Sequence, residues 1–146
     1  MNSQIKIVIA TKNDFDSVIS LYKQLWPKWD LFDMTNMQKI FNDDLATGQK
    51  VYFLAKKLDN VVGVCSTSIR NNLHYLKTAL IEELIVDFAS RNQGIGKKLL
   101  DEATDYAKSH GCFRIEVHTN INREETHKFY KDNGFELRAF TFMKVL

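Results

Sequence analysis

The run Arg91-Asn92-Gln93-Gly94-Ile95-Gly96-Lys97-Lys98 carries the strongest chemical signal in the chain. Two glycines spaced by one residue let a backbone come close to a ligand and turn its N–H groups outward. A helix N-terminus directly behind them adds partial positive charge, and Arg91, Lys97 and Lys98 add full charges. These are the requirements for gripping a pyrophosphate. Two commoner phosphate motifs are absent: no Gly-x-x-x-x-Gly-Lys-Ser/Thr occurs, and Leu99 stands where a dinucleotide fingerprint needs its third glycine. The competing reading is a glycine-rich turn ahead of a surface helix. A strand before the run, a helix after it and an arginine at its head favour phosphate. No metal is expected, because the four histidines (His74, His110, His118, His127) and the two cysteines lack the spacing of a zinc site.

The elements that must position this loop follow from hydrophobic patterning. Residues 5–9 form a short β-branched strand, and 11–26 a helix whose stripe is Phe15, Val18, Ile19, Tyr22 and Leu25, ended by Pro27. Thr35-x-x-Gln38 resembles a capping box opening a second helix to Leu45, with Gly48 as its stop. Val51–Ala55 and Val61–Cys65 read as a hairpin, Asn71-Asn72 as a loop, and 78–86 as a strand apolar on both faces and therefore central. A helix then runs to His110 and is closed by Gly111. Residues 112–118 alternate like a strand, 124–133 form a short helix stopped by Gly134, and 135–145 supply one or two final strands. The order β-α-α-β-β-β-α-β-α-β(-β) predicts an α/β fold with a mixed sheet covered by helices on both faces.

Composition bounds the function classes. A chain of 146 residues is expected to form a single domain, 1–146, large enough to bury a core with a pocket. Lys plus Arg at 20 against Asp plus Glu at 18 is too balanced to argue for nucleic acid or an anionic membrane as partner. No apolar run approaches a membrane span, no signal peptide is visible, and Cys65 and Cys112 read as buried free thiols, so the expected location is cytoplasmic.

Val86 followed by Arg91-x-x-Gly94-x-Gly96 resembles the acyl-CoA signature Arg/Gln-x-x-Gly-x-Gly/Ala of the GNAT superfamily of N-acetyltransferases. Downstream, Arg123-x-x-Thr126-His127-x-Phe129-Tyr130-x-x-x-Gly134-Phe135 is similar to a run in one bacterial branch, departing only in Thr126, where that branch carries Ala. The resemblance covers nearly the whole chain and implies the GNAT fold with splayed central strands. It also implies acetyl-CoA as cosubstrate and direct transfer to an amine with both substrates bound. Leu84, Ile85 and Val86 would then offer backbone groups to pantetheine, and the loop Arg91, Asn92, Gln93, Gly94, Ile95, Gly96, Lys97 would hold the pyrophosphate.

Glu82 and Glu83 are adjacent in the central strand, and strict alternation would send them to opposite faces. An amine of pKa roughly 10.4 is neutral in only about one molecule in a few thousand at pH 7, so attack on a thioester profits from a carboxylate that takes the proton. Glu82 aligns with a position where family members carry a Glu beside the acceptor, whereas Glu83 reads as structural. Tyr130 matches the family's general acid; its competing reading is a ring packed beside Phe129 and Phe135. His118 and His127 are weaker candidates for a base. The acceptor is expected to be an amine of a small molecule or peptide. One alternative is aminoglycoside specificity, since Leu25-Trp26-Pro27 resembles a segment of aminoglycoside 6′-N-acetyltransferases and Asp30, Asp33, Asp43 and Asp44 would meet a polycation. The other is a non-catalytic acyl-CoA-binding module. A homodimer is compatible with the apolar Phe140, Phe142 and Val145 of the last strands.

Overall fold

A computed structural model describes residues 4–26, 33–74 and 76–146. The chain divides into two compact units, residues 1–116 and 117–146, each taken by itself below. In the first, a sheet has the order β1 (Ile5–Ile9), β2 (Lys50–Lys57), β3 (Asn60–Asn72), β4 (Leu76–Val86) and β5 (Arg114–Val117). The first four strands pair antiparallel with their sequence neighbours. Helices α1 (Phe15–Leu25) and α2 (Met34–Thr47) separate β1 from β2, and α3 (Ile95–Ser109) separates β4 from β5. A helical crossover between neighbouring strands makes β5 parallel to β4, and the sheet mixed.

Register assigns the two faces. Tyr52, Leu54, Val64 and Ile85 are buried in one cluster with Phe15, Val18, Ile19 and Leu21 of α1 and Phe41 of α2. Their cross-strand partners fix the same side for Ser66 and Ser68. On the opposite face Phe53 meets Tyr106 of α3 edge to face, with centroids 5.6 Å apart. There Gly63 lets α3 close on the sheet: a Cβ at that position would stand 2.9 Å from Leu99 Cδ1 and 3.2 Å from Ile95 Cγ2. Both side chains are fully buried, so neither has room to yield.

β5 begins beside the start of β4, where the Phe113 N–H donates to the Lys77 carbonyl at 2.8 Å. Four residues from that point flank only the first half of β4. Burial follows: Thr78 to Ile81 are buried, whereas Glu82, Glu83, Leu84 and Val86 are half-buried. β4 thus outruns its neighbour β5.

Several expectations are corrected. The α2 cap is Asp33, whose carboxylate accepts from the Asn36 N–H at 3.0 Å; Thr35 already lies inside the helix. Asn71 and Asn72 end β3 instead of forming a loop, because Arg70, Asn71 and Asn72 keep pairing with Thr78, Lys77 and Leu76. Gly96 stands in the first turn of α3 and only Gly94 precedes it. In the second unit, α4 spans Glu124–Asp132. The strands expected over 135–145 do not form: residues 135–146 belong to no strand, and Leu137, Phe140, Phe142, Met143 and Val145 are exposed. Alternating apolar residues give strand propensity, but a strand exists only where its backbone finds a ladder. The contact with a second copy read from that strand thus has no strand behind it. Pro27 and Asp30 lie outside the described residues.

Gly63→Ala should overpack the α3–β3 contact and destabilise the fold by about 1–3 kcal/mol, measurable as a lower urea midpoint at unchanged m-value.

Candidate active site

The register of β3 against β4 shifts by one residue at its centre. Ser66 stands opposite Glu83 and Thr67 opposite Ile81, so Glu82 has no partner and is the extra residue of a β-bulge. The bulge cancels the alternation expected for the two carboxylates. Ser66 Oγ donates to Glu83 Oε2 at 2.7 Å, and Ser68 Oγ lies 3.4 Å from Glu82 Oε1. Ser66 and Ser68 share one face of β3, so Glu82 and Glu83 both point to the side covered by α1 and α2.

That face gathers a polar cluster inside an otherwise apolar layer. Glu83 also accepts from the Tyr22 hydroxyl of α1 at 3.0 Å. Glu82 forms an ion pair with Lys50 of β2, whose ammonium lies 3.9 Å from Asp44 of α2. Asp44 in turn accepts from the Tyr52 hydroxyl at 2.7 Å. Burial, then the neighbouring Glu83 charge, holds the Tyr22 phenol well above its ordinary range. Burial and the hydrogen bond to Asp44 raise that of Tyr52. On the opposite face burial pushes the Cys65 thiol up to about 12. Tyr22, Lys50, Tyr52, Ser66 and Ser68 are neighbours that sequence reasoning did not find. The only signal for them was Tyr22 on an apolar stripe and two serines alternating in a strand.

The second half of β4 leads to the loop. The Asp87 N–H donates to the Val62 carbonyl at 2.8 Å. Antiparallel alternation then turns the Leu84 and Val86 backbone groups away from β3, toward the side that β5 no longer covers. The Val86 carbonyl accepts from Arg91 Nε at 3.1 Å, and the Arg91 guanidinium lies over the Phe88 ring at 5.3 Å. Gln24 of α1 clamps the turn: its amide donates to Asp87 at 2.8 Å and accepts from the Phe88 N–H at 3.0 Å. Asn92 and Gly94 both adopt left-handed φ, 61° and 78°, which aim the chain into α3. Gly94 has no side chain to cap the helix, and the first intrahelical bond runs from the Lys98 N–H to the Gly94 carbonyl at 3.1 Å. Ile95, Gly96 and Lys97 are left without intrahelical acceptors, the arrangement that suits an anion. Gln93 is exposed in the same turn, and Lys97 pairs along the helix with Asp101 at 2.7 Å.

In the second unit Tyr130 is buried, with its ring edge-to-face against Phe129 at 5.2 Å and Phe135 at 5.3 Å. His127 Nε2 lies 2.8 Å from the Asn120 carbonyl, and His118 is exposed. Glu82, Leu84–Val86 and the 91–97 loop thus share the first unit, and Tyr130 belongs to the second. Of the aspartates considered for a polycation, Asp33 caps α2, Asp43 pairs with Lys39 at 2.7 Å and Asp44 holds Tyr52. Both cysteines are free thiols, Cys65 buried and Cys112 half-buried.

The match to known families agrees with this geometry. Residues 16–135 fit the model of the acetyltransferase (GNAT) family, and the chain belongs to that family. It is therefore an acyltransferase of the N-acetyltransferase kind. A curated relative, the aminoalkylphosphonate N-acetyltransferase of Salmonella typhimurium, is 33% identical over 138 residues, covering 94% of this chain and 88% of the relative. A solved protein of Bacillus halodurans C-125, described as a transcriptional regulator, superposes with a TM-score of 0.91 at 21% identity, covering 98% of this chain and all of the other (100%). The aminoglycoside N-acetyltransferase AAC(6')-Iy, solved in complex with CoA, superposes with a TM-score of 0.85 at 21% identity, covering 99% of this chain and 97% of that one. These structures share the fold. Among the described residues, no helix is long and apolar enough to cross a membrane.

The raised acids set an alkaline limit. Unfolded tyrosine and cysteine ionise near roughly 10 and 8.5, whereas Tyr22, Tyr52 and Cys65 hold their protons higher in the fold. Above about pH 8.5 the unfolded chain binds fewer protons than the native one, so stability falls with rising pH. Tyr22→Phe should remove about one proton from the slope of unfolding free energy against pH above 10, read from urea titrations between about pH 8 and 11.

Proposed function

We propose that this enzyme transfers the acetyl group of acetyl-CoA directly to the amine of a small molecule or peptide, with both substrates bound together. The observation that carries the reading is the uncovered half of β4. It has the half-exposed Glu82 carboxylate at one end and the uncapped N-terminus of α3 just beyond the other. A thioester on an extended arm lies naturally along such a strand. Leu84 and Val86 would meet the pantetheine amides, while Ile85 between them is held to β3 and does not. The pyrophosphate would take the N–H groups of Ile95, Gly96 and Lys97, within the loop Arg91, Asn92, Gln93, Gly94. The CoA complex of the structurally similar AAC(6')-Iy supports this donor.

Glu82 would take the proton of the attacking amine, directly or through water, from its place in the ion pair with Lys50. Tyr130 would return a proton to the departing thiolate, since a phenol of pKa roughly 10 remains protonated at neutral pH. The family match runs through both compact units, which supports their working as one domain. The named acceptors of the two acetyltransferases above, an aminoalkylphosphonate and an aminoglycoside, favour a small molecule over a peptide. The aminoglycoside reading is the weaker of those two, because Asp33, Asp43 and Asp44 are already engaged. A cytoplasmic setting fits the two free thiols.

Thiol release from acetyl-CoA, screened against aminoalkylphosphonates, aminoglycosides, polyamines, amino acids and peptides, tests the reading; no release with any amine would sink it. Glu82→Gln should lower kcat by roughly 10²–10³, with a loss that shrinks as pH rises and the free amine becomes abundant. Tyr130→Phe deletes one hydroxyl and preserves the ring packing. It should lower kcat at least about tenfold while acetyl-CoA affinity and Tm hardly move; equal turnover would return Tyr130 to the core.

A further inference from the structure

We propose that Ser66 is a positioning residue, whose hydroxyl clips the β4 bulge shut and so holds Glu82 on the face that α1 and α2 cover. The inference rests on the reading of Glu82 as proton acceptor, and its test separates the two.

Ser66 is fully buried. A hydroxyl in that position is costly unless both its donor and its acceptor capacity are used. Both are used here on one residue. Ser66 Oγ accepts from the Glu83 N–H at 3.1 Å and donates to Glu83 Oε2 at 2.7 Å. The serine therefore grips its cross-strand partner by backbone and side chain at the point where the bulge disturbs the ladder. The same carboxylate oxygen accepts from Tyr22 at 3.0 Å, which ties the clip to α1.

Without a bulge, β4 has one competing arrangement. A slip of one residue restores ordinary alternation and turns one of the two carboxylates to the other face. That face is packed by Cys65, Thr67 and Ile81, all fully buried, and by α3. The register in which Ser66 pairs with Glu83 is the one in which Glu82 reaches Lys50 and Ser68. Glu83 thus acts through the backbone and leaves the proton transfer to its neighbour. Ser66 acts through Glu83.

The experiment uses the full chain in two arms. In the first, amide hydrogen exchange by NMR compares wild type with Ser66→Ala. Exchange at Glu82 and Glu83 should accelerate at least tenfold, while Thr78 to Ile81 and acetyl-CoA affinity change less than twofold. Ser66→Cys, nearly isosteric and a poorer hydrogen-bonding group, should move in the same direction and serves if the alanine variant does not fold. Unchanged exchange at Glu83 overturns the clip. In the second arm, kcat is measured with acetyl-CoA and whichever screened amine gives the fastest thiol release. Ser66→Ala should lower kcat at least tenfold at unchanged KM for acetyl-CoA and show the pH dependence of Glu82→Gln. Added to Glu82→Gln, it should cost less than a further twofold. An equal loss in both backgrounds overturns the positioning role. Wild-type turnover in Glu82→Gln overturns the reading of Glu82 instead, and exchange at Glu83 still decides the clip.

Discussion

One residue too many in β4 governs this molecule. Between Ser66–Glu83 and Thr67–Ile81 the two strands fall out of step by one position. Side chains in a strand alternate with a period of two, so a single unpaired residue lets both halves of β4 keep their apolar residues inside while its centre presents two neighbours to one face. Leu80 before the bulge and Ile85 after it are both buried. Between them, Glu82 and Glu83 stand together among tyrosines, serines and a lysine. An unbulged strand of this sequence would have to bury one carboxylate against α3 or expose one half of its core.

The same strand is also longer than its neighbour, and the two facts work together. β5 flanks the half of β4 before the bulge, leaving the half after it with backbone groups that no strand takes up. Residues 84–86 then feed a turn whose left-handed Asn92 and Gly94 bring the start of α3 around. Gly63 permits α3 to sit hard against β3, which fixes that helix end relative to the strand. Gln24 does the corresponding work from α1, with two hydrogen bonds to the turn. A flexible glycine-rich loop would order itself at an entropic cost each time an anion arrived. Here the packing on both sides has fixed it beforehand.

The periodic parts of this fold were legible in the sequence, and the exceptions to periodicity were not. β1 runs over Ile5–Ile9 as read, and α1 buries the stripe through Phe15, Val18 and Ile19. The turn from β4 into α3 was legible because glycine is a local signal. The bulge was not, because it depends on which β3 residue faces Glu83, a fact about two strands that neither carries alone. The cap of α2 was missed for a smaller reason: Asp33 and Thr35 are both competent N-caps, and the first to meet a helical N–H wins. The last strand failed in the opposite sense. Phe140 and Phe142 alternate correctly, but alternation describes a willingness to pair and supplies no partner.

Two adjacent carboxylates on one face would repel one another if their surroundings were alike. Their partners differ in kind. Glu83 accepts two buried hydroxyls on a single oxygen, and its own N–H is taken by one of them, so its charge is answered by dipoles fixed in the protein. Glu82 is answered by an ammonium on a flexible stem, with both side chains in contact with solvent. Dipoles packed between a helix and a sheet do not leave, whereas a lysine near the surface yields its place on a carboxylate to a cation that competes with it. In the reaction proposed above, the amine acceptor would arrive as such a cation. Of the two acids, only Glu82 has a partner that it could give up to meet it, and Glu83 stays where the strand needs it. Environment divides the pair into one acid that can change partners and one that cannot, in the way that two like groups acquire separate roles in a single site.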